Sequence, residues 1–101
     1  MSTNLIISQK TIRDLVETTF FSYVGYGFGD LNEAIDDTFT YIKDTGYESY
    51  PELKGLNEQE LETVEKAVSG KVADLGEKIL PIFNGELDKM FSNLDNEIKK
   101  E

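Results

Sequence analysis

Carboxylates are the one reactive group this chain has in quantity: 20 Asp and Glu stand against 10 Lys and Arg, with no histidine and no cysteine. The usual general base, the thiol nucleophile and the commonest nitrogen and sulfur metal ligands are therefore missing. Serines are present, but no lysine or carboxylate is spaced to activate one. A helical di-iron centre draws on Glu-x-x-His pairs, which cannot be written without histidine. Asp30-Leu31-Asn32-Glu33 opens like a calcium loop, yet Ile35 falls where the loop needs glycine and Tyr41 where it needs a bidentate glutamate. Gly25-Tyr26-Gly27-Phe28-Gly29 matches neither the dinucleotide nor the P-loop spacing. The carboxylates of Asp30 and Glu33 would occupy the helix-start amides that a phosphate requires. The expectation is a protein that is not an enzyme, takes no cofactor or metal, and works by recognition.

The charge balance narrows what it would recognise. The formal charge is -10, and Arg13 is the only arginine. Nucleic acid and anionic membranes are met by clustered Lys and Arg, so both are disfavoured as direct partners. A basic protein surface is the complementary one. The absence of cysteine excludes disulfides and leaves the redox compartment undetermined. Met1-Ser2-Thr3-Asn4-Leu5-Ile6-Ile7 has no basic region and only three apolar residues in a row, unlike a signal peptide or an anchor. No apolar run reaches the length of a membrane span. The expected location is the cytoplasm, that of the host if the chain is viral.

At 101 residues the chain suits one helical domain over 1–101 with one modest core. The apolar spacing predicts an all-α, single-domain, four-helix bundle-like arrangement near 8–25, 30–45, 57–80 and 82–99. Ile7, Ser8 and Ile12 fit a hydrophobic staple around a serine cap. Ile12, Leu15, Val16, Thr19, Phe20, Tyr23 and Val24 follow helical periodicity. Phe21 falls off this stripe, where it could fill a second core contact or sit in an interface; the core is the expectation. The 25–29 segment reads as a tight turn with Tyr26 and Phe28 tucked against it. Asp30 and Glu33 fit a capping box for the second helix, whose buried stripe is Leu31, Ala34, Ile35, Thr38, Phe39 and Ile42, with Gly46 as its stop. Asn57 and Glu60 fit another capping box, and Leu61, Val64, Val68, Val72, Leu75 and Ile79 line one side of a long third helix. Pro81 predicts a break before a fourth helix carrying Ile82, Phe83, Leu87, Met90, Phe91, Leu94 and Ile98, with Lys99 and Lys100 at its end.

The candidate contact residues follow from what the core leaves over. Glu33, Asp36, Asp37 and Asp44 lie off the buried stripe of the second helix. Tyr47, Glu48, Tyr50 and Glu52 alternate aromatic and acidic groups in a connection that Pro51 keeps from being helical. Tyr47, Tyr50 and Leu53 either pin that connection to the core or, for the tyrosines, offer anchor area to a partner. Carboxylates four residues apart, such as Glu33 with Asp37 or Glu58 with Glu62, rise about 6 Å along a helix axis, within a factor of two of the phosphate rise along one DNA strand. The expected function is inhibition of a basic, nucleic-acid-handling protein by mimicry, of the phage anti-restriction or anti-CRISPR type. A second reading comes from the order helix, helix, Tyr50-Pro51 turn amid acids, helix. Over at most the first half of the chain this resembles the colicin-nuclease immunity family, which carries Tyr-Tyr-Pro in an acidic segment. Ser49 replaces the first tyrosine here, and the long half beyond Pro51 departs from that family. The resemblance implies a toxin as partner. A third reading takes the small residues Ala67, Gly70, Ala73 and Gly76 as a close helix crossing, within the fold or as a homodimer contact of a scaffold or ligand-sequestering protein.

Overall fold

The computed structural model describes residues 7–92. Three substantial helices and one short turn make up the fold: α1 (Gln9–Gly25), α2 (Leu31–Asp44), a 3-10 turn (Pro51–Gly55) and α3 (Glu58–Phe91). The arrangement is all-α and single-domain, with α1 packed against both α2 and α3. No described helix is long and apolar enough to cross a membrane.

Local chemistry explains where the helices start. Ser8 takes extended dihedrals and its hydroxyl accepts from the Thr11 amide at 3.2 Å. Asn57 and Glu60 form the reciprocal capping box, the Glu60 amide donating to the Asn57 side chain at 2.8 Å and the Asn57 amide to the Glu60 carboxylate at 3.0 Å. At α2 only half of the expected box forms: Asp30 accepts from the Glu33 amide at 3.0 Å, and the Glu33 side chain lies instead among Asp30, Asp36 and Asp37. A carboxylate already at the cap leaves no reason for a second one to approach it.

Both interhelical turns end a helix with two successive left-handed residues, a glycine and then an aromatic. Gly27 (φ 67°) and Phe28 (φ 61°) follow α1, with the Phe28 amide reaching back to the Tyr23 carbonyl at 3.0 Å. Gly46 (φ 68°) and Tyr47 (φ 62°) follow α2, with the Tyr47 amide on the Ile42 carbonyl at 2.9 Å. Such six-to-one closures satisfy carbonyls at the helix end. Holding a bulky residue at positive φ costs about 1–2 kcal/mol; Phe28 offsets this by stacking edgewise on Phe20 and Tyr23, and Tyr47 by packing on the core.

The core is one strip of side chains. Leu61, Val64, Val68 and Val72 of α3 meet Leu15 of α1, Phe39 and Ile42 of α2, Leu53 of the 3-10 turn and Ile7 at the N-terminal side. Phe21, expected in the core, is 67% exposed. It sits one step beyond Phe20, and 100° of helix rotation carries it off the face that α2 and α3 cover. The break expected at Pro81 is absent, and the segment assigned to a fourth helix continues α3 to Phe91. Proline withholds one amide from the Glu77 carbonyl. Glu77 and Pro81 are both exposed, so water reaches that carbonyl and the helix is spared a buried orphan. Leu94, Ile98, Lys99 and Lys100, assigned to that helix, lie outside the described residues.

The small residues of α3 do not form one contact stripe. Steps of three drift by about 60° each around a 3.6-residue helix, so Ala67 and Gly70 are exposed while Gly76 is buried against α1. A Cβ built on Gly76 would stand 3.0 Å from the Tyr23 ring, and that ring is confined by Phe20 and Phe28. One buried polar atom, the Thr19 hydroxyl, has no hydrogen-bond partner among the described residues.

Two stability predictions follow from this packing. Gly70→Ala meets nothing within 4 Å and gains helix propensity, so thermal unfolding should rise by about 4–8 °C for ~1 kcal/mol; Gly76→Ala should lower the midpoint, because the propensity gain is lost to the Tyr23 contact. Thr19→Val keeps the shape and removes an unpaired hydroxyl, and chemical denaturation should show it more stable by about 1 kcal/mol.

Candidate functional site: an acidic groove between two helices

The outward sides of α2 and of the first turns of α3 form the walls of a shallow groove. Two adjoining depressions of about 380 and 300 Å³ share Glu62 and Glu65 and run together along it. Asp36 comes from α2, and Glu58, Glu62 and Glu65 from α3; Lys43 and Lys66 are the cations beside them. The apolar floor is Ile35 and Leu61. Helical spacing explains the alignment: Glu58, Glu62 and Glu65 follow each other at steps of four and three on one side of α3, while the valines at 64, 68 and 72 turn inward.

Glu33 and Asp37 stand on the next ridge of α2, facing away from the core. Asp37 accepts a hydrogen bond from the Tyr26 hydroxyl across the α1–α2 turn. That bond, with some burial and the neighbouring Asp37, Glu33 and Asp30 charges, pushes the Tyr26 phenol up to about 12. Asp37 beside Glu33 raises the Glu33 carboxyl above its ordinary value, with burial and the charges of Asp30 and Asp36 adding to it. Carboxylates here are crowded at an electrostatic cost, and the described ion pairs lie elsewhere: Lys10 with Asp14 at 3.4 Å and Lys89 with Glu86 at 3.2 Å.

The eight residues singled out from the sequence separate into three groups. Glu33, Asp36 and Asp37 share the exposed side of α2, and Asp44 lies exposed at its far end. Tyr47 and Tyr50 are half-buried against the core, the Tyr50 hydroxyl 3.2 Å from that of Thr18, while Glu48 between them is exposed. Glu52 is engaged inside the fold. Its carboxylate accepts from the Ser8 amide at 3.2 Å, from the Ser8 hydroxyl at 2.9 Å and from the Thr11 hydroxyl. The first turn of α1 has no acid of its own, so Glu52 brings negative charge to that helix start from 44 residues away. The Thr11 and Ser8 hydroxyls lower its pKa against a smaller opposing effect of burial.

Sequence reading missed Glu65 as a groove residue and Tyr41 as the exposed aromatic of α2, 65% accessible. The signal for Tyr41 was its absence from the buried stripe of α2. For Glu65 the only signal was its step of three from Glu62. A different groove, of about 540 Å³ between α1 and α3, is flanked by Lys10, Arg13 and Lys71 over Ile12 and Val16. Charge is thus segregated: acids border one side of α3, and the single arginine with two lysines borders the other. Among the described residues no cluster of three or more carboxylates is disposed to hold a metal ion.

The two shifted carboxyls predict opposite pH behaviour. Glu33, raised above 4.5, subtracts stability at neutral pH and returns it as acid protonates it; Glu52, lowered below 4.5, adds stability above that pH and loses it as pH falls through its folded value. Melting curves should therefore show Glu33→Gln more stable than the parent at pH 7 and Glu52→Gln less stable, both differences shrinking as acid protonates the two carboxyls.

No family model, no curated protein and no solved structure matches this chain, so the acidic groove is interpreted from its own charges and contacts.

Proposed function

We propose that the chain is an acidic recognition protein that binds and inhibits a basic, nucleic-acid-handling protein, presenting the carboxylates of α2 and α3 where that partner expects phosphates. The observation that supports this is the crowding around Glu33: like charges gather on an exposed helix face with no ion pair to offset them among the described residues. Folding alone does not favour such crowding, since like charges one turn apart weaken a helix by a few tenths of a kcal/mol per pair. A cationic surface would relieve it. Two ridges would do the work, Glu33 with Asp37 on α2 and Glu58 with Glu62 and Glu65 on α3, with Asp36 between them. Pairs four residues apart rise about 6 Å along each axis, the scale of a phosphate backbone. Tyr41 supplies exposed aromatic area beside Asp37, on the side of α2 toward α1, whereas Tyr47 and Tyr50 hold their loop on the bundle and Glu52 caps α1.

The test is capture from source-cell extract on the immobilised chain at low salt, with identification of the bound protein and release by short duplex DNA. The expected captured protein binds nucleic acid, and DNA competes it off. Its association rate should fall at least 10-fold between low and high salt, as steered encounters do. Asp36→Asn combined with Glu62→Gln should slow association at low salt and flatten the salt dependence. Salt-insensitive binding that this double variant leaves unchanged rules out the electrostatic reading. Capture of a toxin that DNA does not displace would favour the immunity resemblance instead.

A further inference from the structure

A slot of about 320 Å³ opens between α1 and α2, apart from the acidic groove. Thr18 and Ser22 of α1, one turn apart, line it from one side, and Asp37 and Tyr41 of α2, also one turn apart, from the other. Buried Thr38 and Ile42 lie between them, and Ser49 and Tyr50 complete the lining from the connection after α2. Small-molecule pockets run from about 300 to 1,000 Å³, so this one is sized for a single side chain. Its polar groups are only partly used. The Tyr50 hydroxyl pairs with that of Thr18 at 3.2 Å, and the Tyr26 hydroxyl donates to Asp37 Oδ2. Among the described residues the Ser22, Thr38 and Ser49 hydroxyls make no hydrogen bond, and neither does Asp37 Oδ1. Thr38 is the telling case. It is only 6% exposed, yet unlike that of Thr19 its unpartnered hydroxyl is not sealed off and opens on the slot. No Lys or Arg lines the slot, and Lys43, the cation of α2, borders the acidic groove instead.

We infer that this slot receives one arginine side chain of the basic partner. The assignment rests on the proposed reading that the partner is basic, and adds which of its side chains is inserted. Charge complementarity selects the occupant. Asp37 stands in the wall with Glu33 next to it and Asp30 and Asp36 close by, and no cation of the chain lines the slot to offset them. An anion would meet that carboxylate. An apolar side chain would displace water from the Ser22 and Thr38 hydroxyls and leave them unsatisfied. A guanidinium carries five N–H donors and no acceptor, and the open groups of the slot, one carboxylate oxygen and three hydroxyls, can all accept. Its planar fork can reach the carboxylate and a hydroxyl at once, whereas an ammonium is a compact point charge. Helical spacing adds an aromatic face. Residues four apart have Cβ atoms about 5–6 Å from each other, so a guanidinium held by Asp37 lies within the ~6 Å reach of a cation–π contact with Tyr41. That ring is 65% exposed and open to such a contact.

An NMR titration of the full chain tests this, with N-acetyl-arginine methylamide as the probe at about 0.15 M salt, which screens diffuse attraction. The amides of Thr38, Tyr41 and Ser49 should shift together and saturate, with dissociation on the order of millimolar. The lysine analogue, charged but not planar, and the citrulline analogue, planar but neutral, should each bind at least about 5-fold more weakly. Asp37→Asn keeps an acceptor for the Tyr26 hydroxyl and should weaken arginine about 10-fold. Tyr41→Leu, at an exposed position, should weaken it about two- to five-fold. Thr38→Val separates binding from folding: it should lose arginine affinity while the melting temperature stays level or rises. Shifts that do not saturate, shifts centred on Asp36 and Glu62, or equal binding of arginine and either analogue overturn the inference. So does retention of full affinity by all three variants. The probe is a lone side-chain analogue, so the result does not depend on which protein the chain captures. Arginine-selective saturation upholds the slot even where DNA fails to displace the captured protein, and its absence sinks the slot while leaving DNA-displaceable capture intact.

Discussion

Burial of one side of α3 is the interaction on which everything else rests. Leu61, Val64, Val68 and Val72 form a strip that α1, α2 and the 3-10 turn share, and α1 also packs along α2. Three of its four residues are valines, and larger side chains from each neighbour pack against them: Leu15 from α1, Phe39 and Ile42 from α2, Leu53 from the turn. With so few fully buried residues, each carries a large share of a stability that is small to begin with. Gly76 extends the same principle one turn further by letting the Tyr23 ring lie directly on the α3 backbone. Beyond that point Phe28 of the α1–α2 turn reaches α3 at Phe83.

The same kind of side chain is put to three uses, and its surroundings decide which. Glu52 meets two hydroxyls and an amide at the start of α1 and is stabilised as an anion. Asp37 serves as acceptor for the Tyr26 hydroxyl and ties the α1–α2 turn to α2. Glu33 meets chiefly other carboxylates and is held in its charged form at a cost. A count of acids therefore overstates the surface open to a partner. Glu52 and Asp37, which build the fold, have donors of its own facing them, and among the described residues the groove carboxylates Asp36, Glu58, Glu62 and Glu65 have no hydrogen bond or ion pair.

Glu52 shows why the candidate site was only partly legible. From sequence it is one more acid in a tyrosine-rich loop; its role depends on the loop folding back across 44 residues to Ser8, a separation that no local pattern records. The two tyrosines beside it were open to either reading for the same reason. Phe21 was misplaced because a wide apolar face is read from the helix alone, while burial depends on how many neighbours surround it. The groove pair Glu58 and Glu62 was readable, since both sit on one helix; that Asp36 would face them required the α2–α3 packing.

The sequence by itself determined the helical class, the starts of α1 and α3, the glycine turns and the buried stripe of α3, all of which are set by short-range hydrogen bonding and by a 3.6-residue period. Tertiary structure decided which acids cap helices and which stay unpaired, where Tyr23 and Gly76 meet, and that Pro81 lies within α3 instead of ending it. Those outcomes turn on contacts between distant segments and on access of water to one carbonyl, quantities that spacing along a chain does not contain.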